Sequence, residues 1–195
     1  QRRSAVKLIL ASQSPRRRQM IECLGLQPDI QPADIDETPL ANEAPLPHVI
    51  RLARAKAQAI DSKDRVLAAD TIVVLGQRIL GKPEDFADFH DMMHALSGQT
   101  HQVHTAWCLR HDQALTEGVG TTSVTFARLS DPQIQAYWDS GEPQDKAGGY
   151  GIQGMGGLFA ERIEGDFNNV VGLPLREVAF ALAHSGLNPW NLDAR

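Results

Sequence analysis

The chain has 195 residues, 42% hydrophobic and 22% charged, with a formal net charge of −5 and a pI near 5.8. That length supports a full core, read as one domain over residues 1–195, and the acidic balance excludes broad attraction to nucleic acid or to an anionic membrane surface. An anionic ligand must therefore be gripped by local charge. Cys23 and Cys108 stand far apart in apolar segments and read as buried free thiols of a reducing, cytoplasmic protein. No stretch has the length of a membrane span, and the apolar run after Arg2-Arg3 is broken by Lys7 without a signal-type cleavage site. Gln1 in place of Met reads as a trimmed start.

The first predicted strand, Lys7 to Ala11, runs directly into Ser12-Gln13-Ser14-Pro15-Arg16-Arg17-Arg18. Ser14 is a good N-cap and Pro15 suits the first helical position; Met20, Ile21 and Leu24 form the inner face and Gly25 the stop. The arginines then face the positive end of the helix dipole, which disfavours each by about 0.3–1 kcal/mol. Either they are ordinary surface cations, or an anion such as a polyphosphate sits among them, where free N–H groups and guanidinium forks converge.

Pro28 to Ala33 reads as extended, and a loop follows with the acidic pair Asp36-Glu37. Pro47 to Ile60 reads as a helix with Val49, Leu52, Ala53 and Ile60 on one apolar face. Lys56 falls within that face, so its ammonium either snorkels to water or meets a buried anion. Val66 to Leu75 is a nearly continuous apolar run, as in a strand covered on both faces, and Asp70 interrupts it. Unpaired and ionised there, it would cost several kcal/mol. Asp70 must be paired, protonated, metal-bound or open to a cleft, which makes it the first choice for chemistry; the other reading is a buried Asp that satisfies loop backbone.

Gly76 and Gly81 bracket a hairpin, followed by the isolated cation Lys82. Glu84 to Leu96 is an amphipathic helix through Phe86, Phe89 and Met93, ended by Gly98. Its His90 and His94 have a zinc-type spacing, but Asp91 stands where the metalloprotease motif requires Glu, and the pair reads as solvated. Thr100–Arg110 and Leu115–Ala127 form an antiparallel pair turning near Asp112-Gln113. Ser130 and Gln133 make a capping box for a short helix through Ile134, Tyr137 and Trp138. Gly149 to Gly154 fits G-x-G-x-x-G, but no strand precedes it and a strand-like Leu158-Phe159-Ala160 follows, so it is no dinucleotide fingerprint. The six glycines from Gly148 to Gly157 instead suit either a loop on which a base or phosphate lies against main chain, or a simple turn cluster. Pro174 to His184 is a last helix, and the interleaving of strands and helices predicts an α/β fold with a mixed sheet.

With these residues assembled, the chain resembles the Maf family of nucleoside triphosphate pyrophosphatases. The matching segments are Leu10-Ala11-Ser12-Gln13-Ser14-Pro15-Arg16-Arg17, Arg51 to Ala57, Ala69-Asp70-Thr71, Gly81-Lys82-Pro83 and Leu96-Ser97-Gly98, then Asp145 to Gly148, Gly151 to Gly154 and Val170 to Pro174. The resemblance implies an elongated mixed sheet flanked by helices, with two lobes and a central cleft, similar to inosine triphosphate pyrophosphatases, and usually a homodimer. It implies cleavage of a nucleoside triphosphate between the α and β phosphates. Arg16, Thr71 and Gln153, at the positions tied to base choice, match the subgroup that favours dTTP and UTP; the alternatives are the 7-methyl-GTP subgroup or a nucleotide-sensing regulator of septum formation. Ala55 and Ala69 depart from the usual residues without displacing Lys56 or Asp70.

The two readings converge on one set of roles. Asp70 acts as general base for water or holds a metal, and Glu37 joins it around Mg²⁺ or Mn²⁺. Lys82 assists catalysis, and Arg16, Arg17 and Lys56 neutralise the triphosphate. Ser12, Ser14 and Thr71 complete the substrate contacts, and the two-faced amide of Gln153 suits a pyrimidine edge.

Overall fold

The apolar run around Asp70 becomes the strand on which the molecule is organised. The computed structural model describes residues 7–190, so the trimmed-start reading at Gln1 lies outside the described residues. It contains a seven-stranded sheet of β1 (Leu8–Leu10), β2 (Asp29–Ile30), β3 (Arg65–Leu75), β4 (Arg78–Leu80), β5 (Thr100–His111), β6 (Ala114–Phe126) and β7 (Ala160–Glu164). The order is β2-β1-β3-β5-β6-β7, with β4 also on β3. β1 is parallel to both β2 and β3, and the remaining ladders are antiparallel. The predicted mixed α/β sheet is present.

Side chains alternate along β3 and so divide the core. Val66, Ala68, Ile72 and Val74 pack beneath α2 (Pro45–Ala59), against Val49, Ala53 and Ala57. On the other face, Leu67 and Ala69 meet Met20 and Ile21 of α1 (Pro15–Cys23) and Val178 and Leu182 of α6 (Leu175–His184). Further along that face, Val73 meets Phe89 and Met93 of α3 (Phe86–Leu96) and Ile134 and Tyr137 of α4 (Asp131–Asp139). These two packing regions are the lobes, and Thr71 stands between them in the register of β3.

The cleft follows from sheet topology. β5 covers one edge of β3 from Val66 to Val74. On the opposite edge β1 pairs only with Arg65–Leu67 and β4 only with Val73–Leu75, leaving residues 68–72 without a strand partner. Asp70 is therefore mid-strand yet beside an open edge.

Local signals set the helix ends. The Ser14 hydroxyl accepts from Arg17 N at 3.3 Å, capping α1, and Ser130 with Gln133 forms the expected capping box on α4. The start of α2 is Pro45, two residues before the predicted Pro47, because a proline costs no hydrogen bond in a first turn. Three expectations need correction. Cys23 is exposed while Cys108 is buried, both free; at 100° per residue Cys23 lies about 110° from the middle of the Met20–Leu24–Ile21 arc. Leu158 and Phe159 belong to a 3₁₀ turn, Met155–Phe159, and only Ala160 enters β7. A short helix was missed, α5 (Phe167–Val171), capped by Asp166, whose carboxylate accepts from Asn168 N at 2.8 Å. Among the described residues no helix is long and apolar enough to cross a membrane.

Candidate functional site

All ten residues singled out from the sequence line one cleft of about 1050 Å³: Ser12, Ser14, Arg16, Arg17, Glu37, Lys56, Asp70, Thr71, Lys82 and Gln153. A smaller cavity of about 420 Å³ beside Trp107 and Phe180 contains none of them.

The acidic wall is built from β3, α2 and the loop before α2. Asp70 shares its strand face with Ala68 and Ile72, so it points toward α2. There Lys56 Nζ lies 2.9 Å from Asp70 Oδ1 and 2.6 Å from Glu37 Oε1. The side chains of Lys56 and Asp70 are only 14% and 13% exposed, which decides the question the sequence left open: Lys56 meets an anion and does not snorkel. One ammonium thus draws together two carboxylates from distant segments.

Glu37 sits on an exposed loop that a second cluster pins. Glu43 accepts from Arg51 Nε at 2.7 Å and from Arg51 Nη2 at 2.8 Å, with His48 Nδ1 at 2.7 Å. Arg51 also donates to Thr38 O at 3.2 Å, one residue beyond Glu37. The hydrogen bond from Arg51 is the chief cause that pulls the Glu43 carboxyl from 4.5 down to about 2. Because the folded value is depressed, the stabilisation is fully present above pH 4.5 and is lost as pH falls through about 2. Glu43→Gln is therefore expected to flatten the fall of melting temperature between those two values, measured by thermal unfolding across an acid series.

The basic wall begins at the strand-to-helix turn. Ser12 is buried, and its Oγ accepts from Ser14 N at 3.1 Å and Arg17 Nη1 at 3.3 Å. Arg17 is half-buried and turns inward: Nε donates to Gly172 O at 2.7 Å and Nη2 to Thr71 Oγ1 at 2.9 Å. Thr71 in turn shares a 2.7 Å hydroxyl contact with Thr105, whose Oγ1 donates to Asn169 O at 3.0 Å. The missed α5 is thus what anchors this wall, since it carries Asn169 and is followed by Gly172; Asp166 before it and Gly172 after it were the available cap signals. Burial lowers the pKa of Arg17 and the Asp70 charge works against that. Arg17 still meets no carboxylate at ion-pair distance, and neither do Arg16 or Lys82, among the described residues. Three cations without an ion-pair partner line one cleft within an acidic protein, a local concentration of positive charge suited to an anion.

The glycine-rich loop supplies the third side. Gly148 adopts φ 71°, and a Cβ there would meet Val73 at 2.8 Å. At Gly156 a Cβ would meet Gly151 O at 2.6 Å. Glycine is used here for close approach as much as for positive φ. Tyr137 on α4 accepts from Gly151 N through its hydroxyl at 3.0 Å, which holds the turn bearing the exposed Gln153 at the cleft. Glu142, Asp145 and Lys146 also line the cleft, and the sequence reading gave them no role; Lys146 Nζ reaches Glu142 O at 2.9 Å and Asp145 Oδ1 at 3.0 Å. The signal was the Asp145-Lys146-Ala147-Gly148 motif itself, a charged pair entering a glycine run.

The oxygen chemistry of Asp70 and Glu37 fits a hard divalent ion. Each carboxylate pairs with Lys56 through one oxygen.

The chain is similar to known proteins over nearly its whole length. The family model for Maf-like protein matches residues 7–185. A dTTP/UTP pyrophosphatase of Anaeromyxobacter dehalogenans is 51% identical over 191 residues, covering 95% of this chain and 98% of the relative. Proteins of the same name from Hahella chejuensis and Myxococcus xanthus are each 48% identical, covering 95% and 94% of this chain and 95% of their own lengths. A solved structure of the Staphylococcus aureus Ham1 protein aligns with 62% of this chain and 72% of its own, at TM-score 0.44 and 16% identity. Since the family match spans both lobes and every residue of the cleft, the chain belongs to the Maf family.

Proposed function

We propose that the chain hydrolyses dTTP and UTP to the nucleoside monophosphate and pyrophosphate. The observation that carries this reading is the pairing, within one cleft, of a strand-borne carboxylate with three cations that lack carboxylate partners. A triphosphate brings the negative charge that Arg16, Arg17 and Lys82 want, and its α-phosphorus can then face Asp70. Asp70 accepts the proton of an attacking water as the new P–O bond forms. The bond from the α-phosphorus to the bridging oxygen breaks, and the electron pair leaves with pyrophosphate, whose charge the three cations stabilise. Lys56 keeps Asp70 and Glu37 in place. A Mg²⁺ or Mn²⁺ ion held by Asp70 and Glu37 would supply further charge neutralisation at the phosphates when bound. The dTTP/UTP pyrophosphatase names of relatives near 50% identity support the choice of base.

Gln153 is the residue assigned to reading the base. Its amide, exposed at the cleft, offers both a donor and an acceptor to the carbonyl and imide of thymine or uracil. The test is pyrophosphate release from a panel of dTTP, UTP, dCTP, GTP and 7-methyl-GTP. Turnover concentrated on dTTP and UTP is expected, and Gln153→Glu should depress those two selectively by about one to two orders of magnitude. An equal loss on every nucleotide removes Gln153 from base choice, and absence of pyrophosphate release from all of them removes the hydrolase reading.

A further inference from the structure

On the lobe formed by α3 and α4, three metal-type donors converge outside the lining of the cleft. His90 and His94 are one turn apart on α3, with ring centroids 4.3 Å from each other. Both Nε2 atoms reach the same oxygen, Asp131 Oδ1, at 3.1 and 2.9 Å. The ligand atoms of all three residues lie within 4.8 Å of one another. The sequence offered only the histidine spacing; the third donor arrives 37 residues after His94, from the first turn of a different helix.

Packing holds that convergence in place. Phe89 contacts Trp138 at 5.1 Å and Tyr137 at 6.0 Å between ring centroids, and Phe86 contacts Trp138 at 5.9 Å, so α3 and α4 are joined by aromatic rings directly beneath the cluster. The capping box fixes the backbone around Asp131. His94 is 52% and Asp131 71% exposed, which leaves an approach from solvent and room for water as a further ligand.

We propose that His90 Nε2, His94 Nε2 and Asp131 Oδ1 form a binding site for one divalent ion of the imidazole-preferring class, with Zn²⁺ as its ligand. Around zinc, with bonds of about 2.0–2.1 Å, tetrahedral neighbours sit about 3.4 Å apart. The present nitrogen-to-oxygen separations need to open by only a few tenths of an ångström. Two imidazole nitrogens with one carboxylate oxygen favour zinc over magnesium, the reverse of the all-oxygen pair Asp70 and Glu37. The ion would staple α3 to α4, and α4 also carries Tyr137, the anchor of the glycine-rich turn. The site is independent of the hydrolase reading.

The experiment titrates the full chain with ZnCl₂ by calorimetry and by thermal melting, with excess Mg²⁺ present to occupy oxygen ligands. One Zn²⁺ per chain and a rise in melting temperature are expected. His90→Gln/His94→Gln should abolish both effects, and Asp131→Asn should weaken binding by at least the roughly tenfold that losing even an outer-shell partner costs. Pyrophosphate release by the double variant, assayed without zinc, should match the parent. No zinc binding by the parent at roughly 100 µM, or equal binding by the double variant, overturns the site. Unchanged affinity in Asp131→Asn, or binding that disappears in Cys23→Ser instead, overturns it as well.

Discussion

Asp70→Asn is expected to lower pyrophosphate release by about three orders of magnitude, within the range that a general base contributes, while nucleotide binding persists. The amide is nearly isosteric, so β3 and its register with Ala106 remain. It cannot take a proton from water, and it gives Lys56 no formal charge to balance. Lys56 then balances its charge on Glu37 alone, at 2.6 Å, and the arginines proposed to bind the phosphates are untouched. Single-turnover kinetics, together with equilibrium binding of a non-hydrolysable nucleotide, separates the two effects. Unchanged turnover would remove Asp70 from the chemistry, and loss of binding alone would make it a structural carboxylate.

Arg17→Lys is the second large effect, because here charge is kept and geometry is lost. The guanidinium fork serves Gly172 O, Thr71 and Ser12 at once. An ammonium cannot span those three acceptors, which leaves buried Gly172 O without its donor at a cost of about 1–3 kcal/mol. The expected result is a lower melting temperature together with a fall in kcat/KM of about two orders of magnitude, since the same residue belongs to the wall proposed to stabilise the leaving group. Full activity in the lysine variant would show that positive charge alone suffices at this position.

Much of the cleft could be read from residue types that contradict their surroundings. Arginines in a helix first turn, a lysine on an apolar helix face and an aspartate inside an apolar strand each carry a desolvation or dipole penalty that implies a partner, and all three lie in one cleft. Arg17 was harder to read. Its charge suggested a ligand contact, whereas its three side-chain hydrogen bonds go to its own chain, one of them to a carbonyl 155 residues away. His90 and His94 were similarly incomplete, because a third ligand from another helix leaves no mark in local spacing. The exposure of Cys23 and the 3₁₀ turn at Leu158-Phe159 were misjudged where short apolar runs are ambiguous between buried and edge positions.

The sequence by itself determined the types of the longer strands and helices, most of their ends and the identity of the charged residues, because caps, prolines, glycines and apolar periodicity act over a few residues. Tertiary structure alone decided that β1 and β4 stop short of each other along β3, opening the edge at which Asp70 and Thr71 stand. It also decided which cations form ion pairs: Lys56 with Asp70 and Glu37, while among the described residues Arg16, Arg17 and Lys82 reach no carboxylate at ion-pair distance. Charge balance depends on distances of a few ångströms between segments far apart in the chain, and those distances exist only once the sheet has formed.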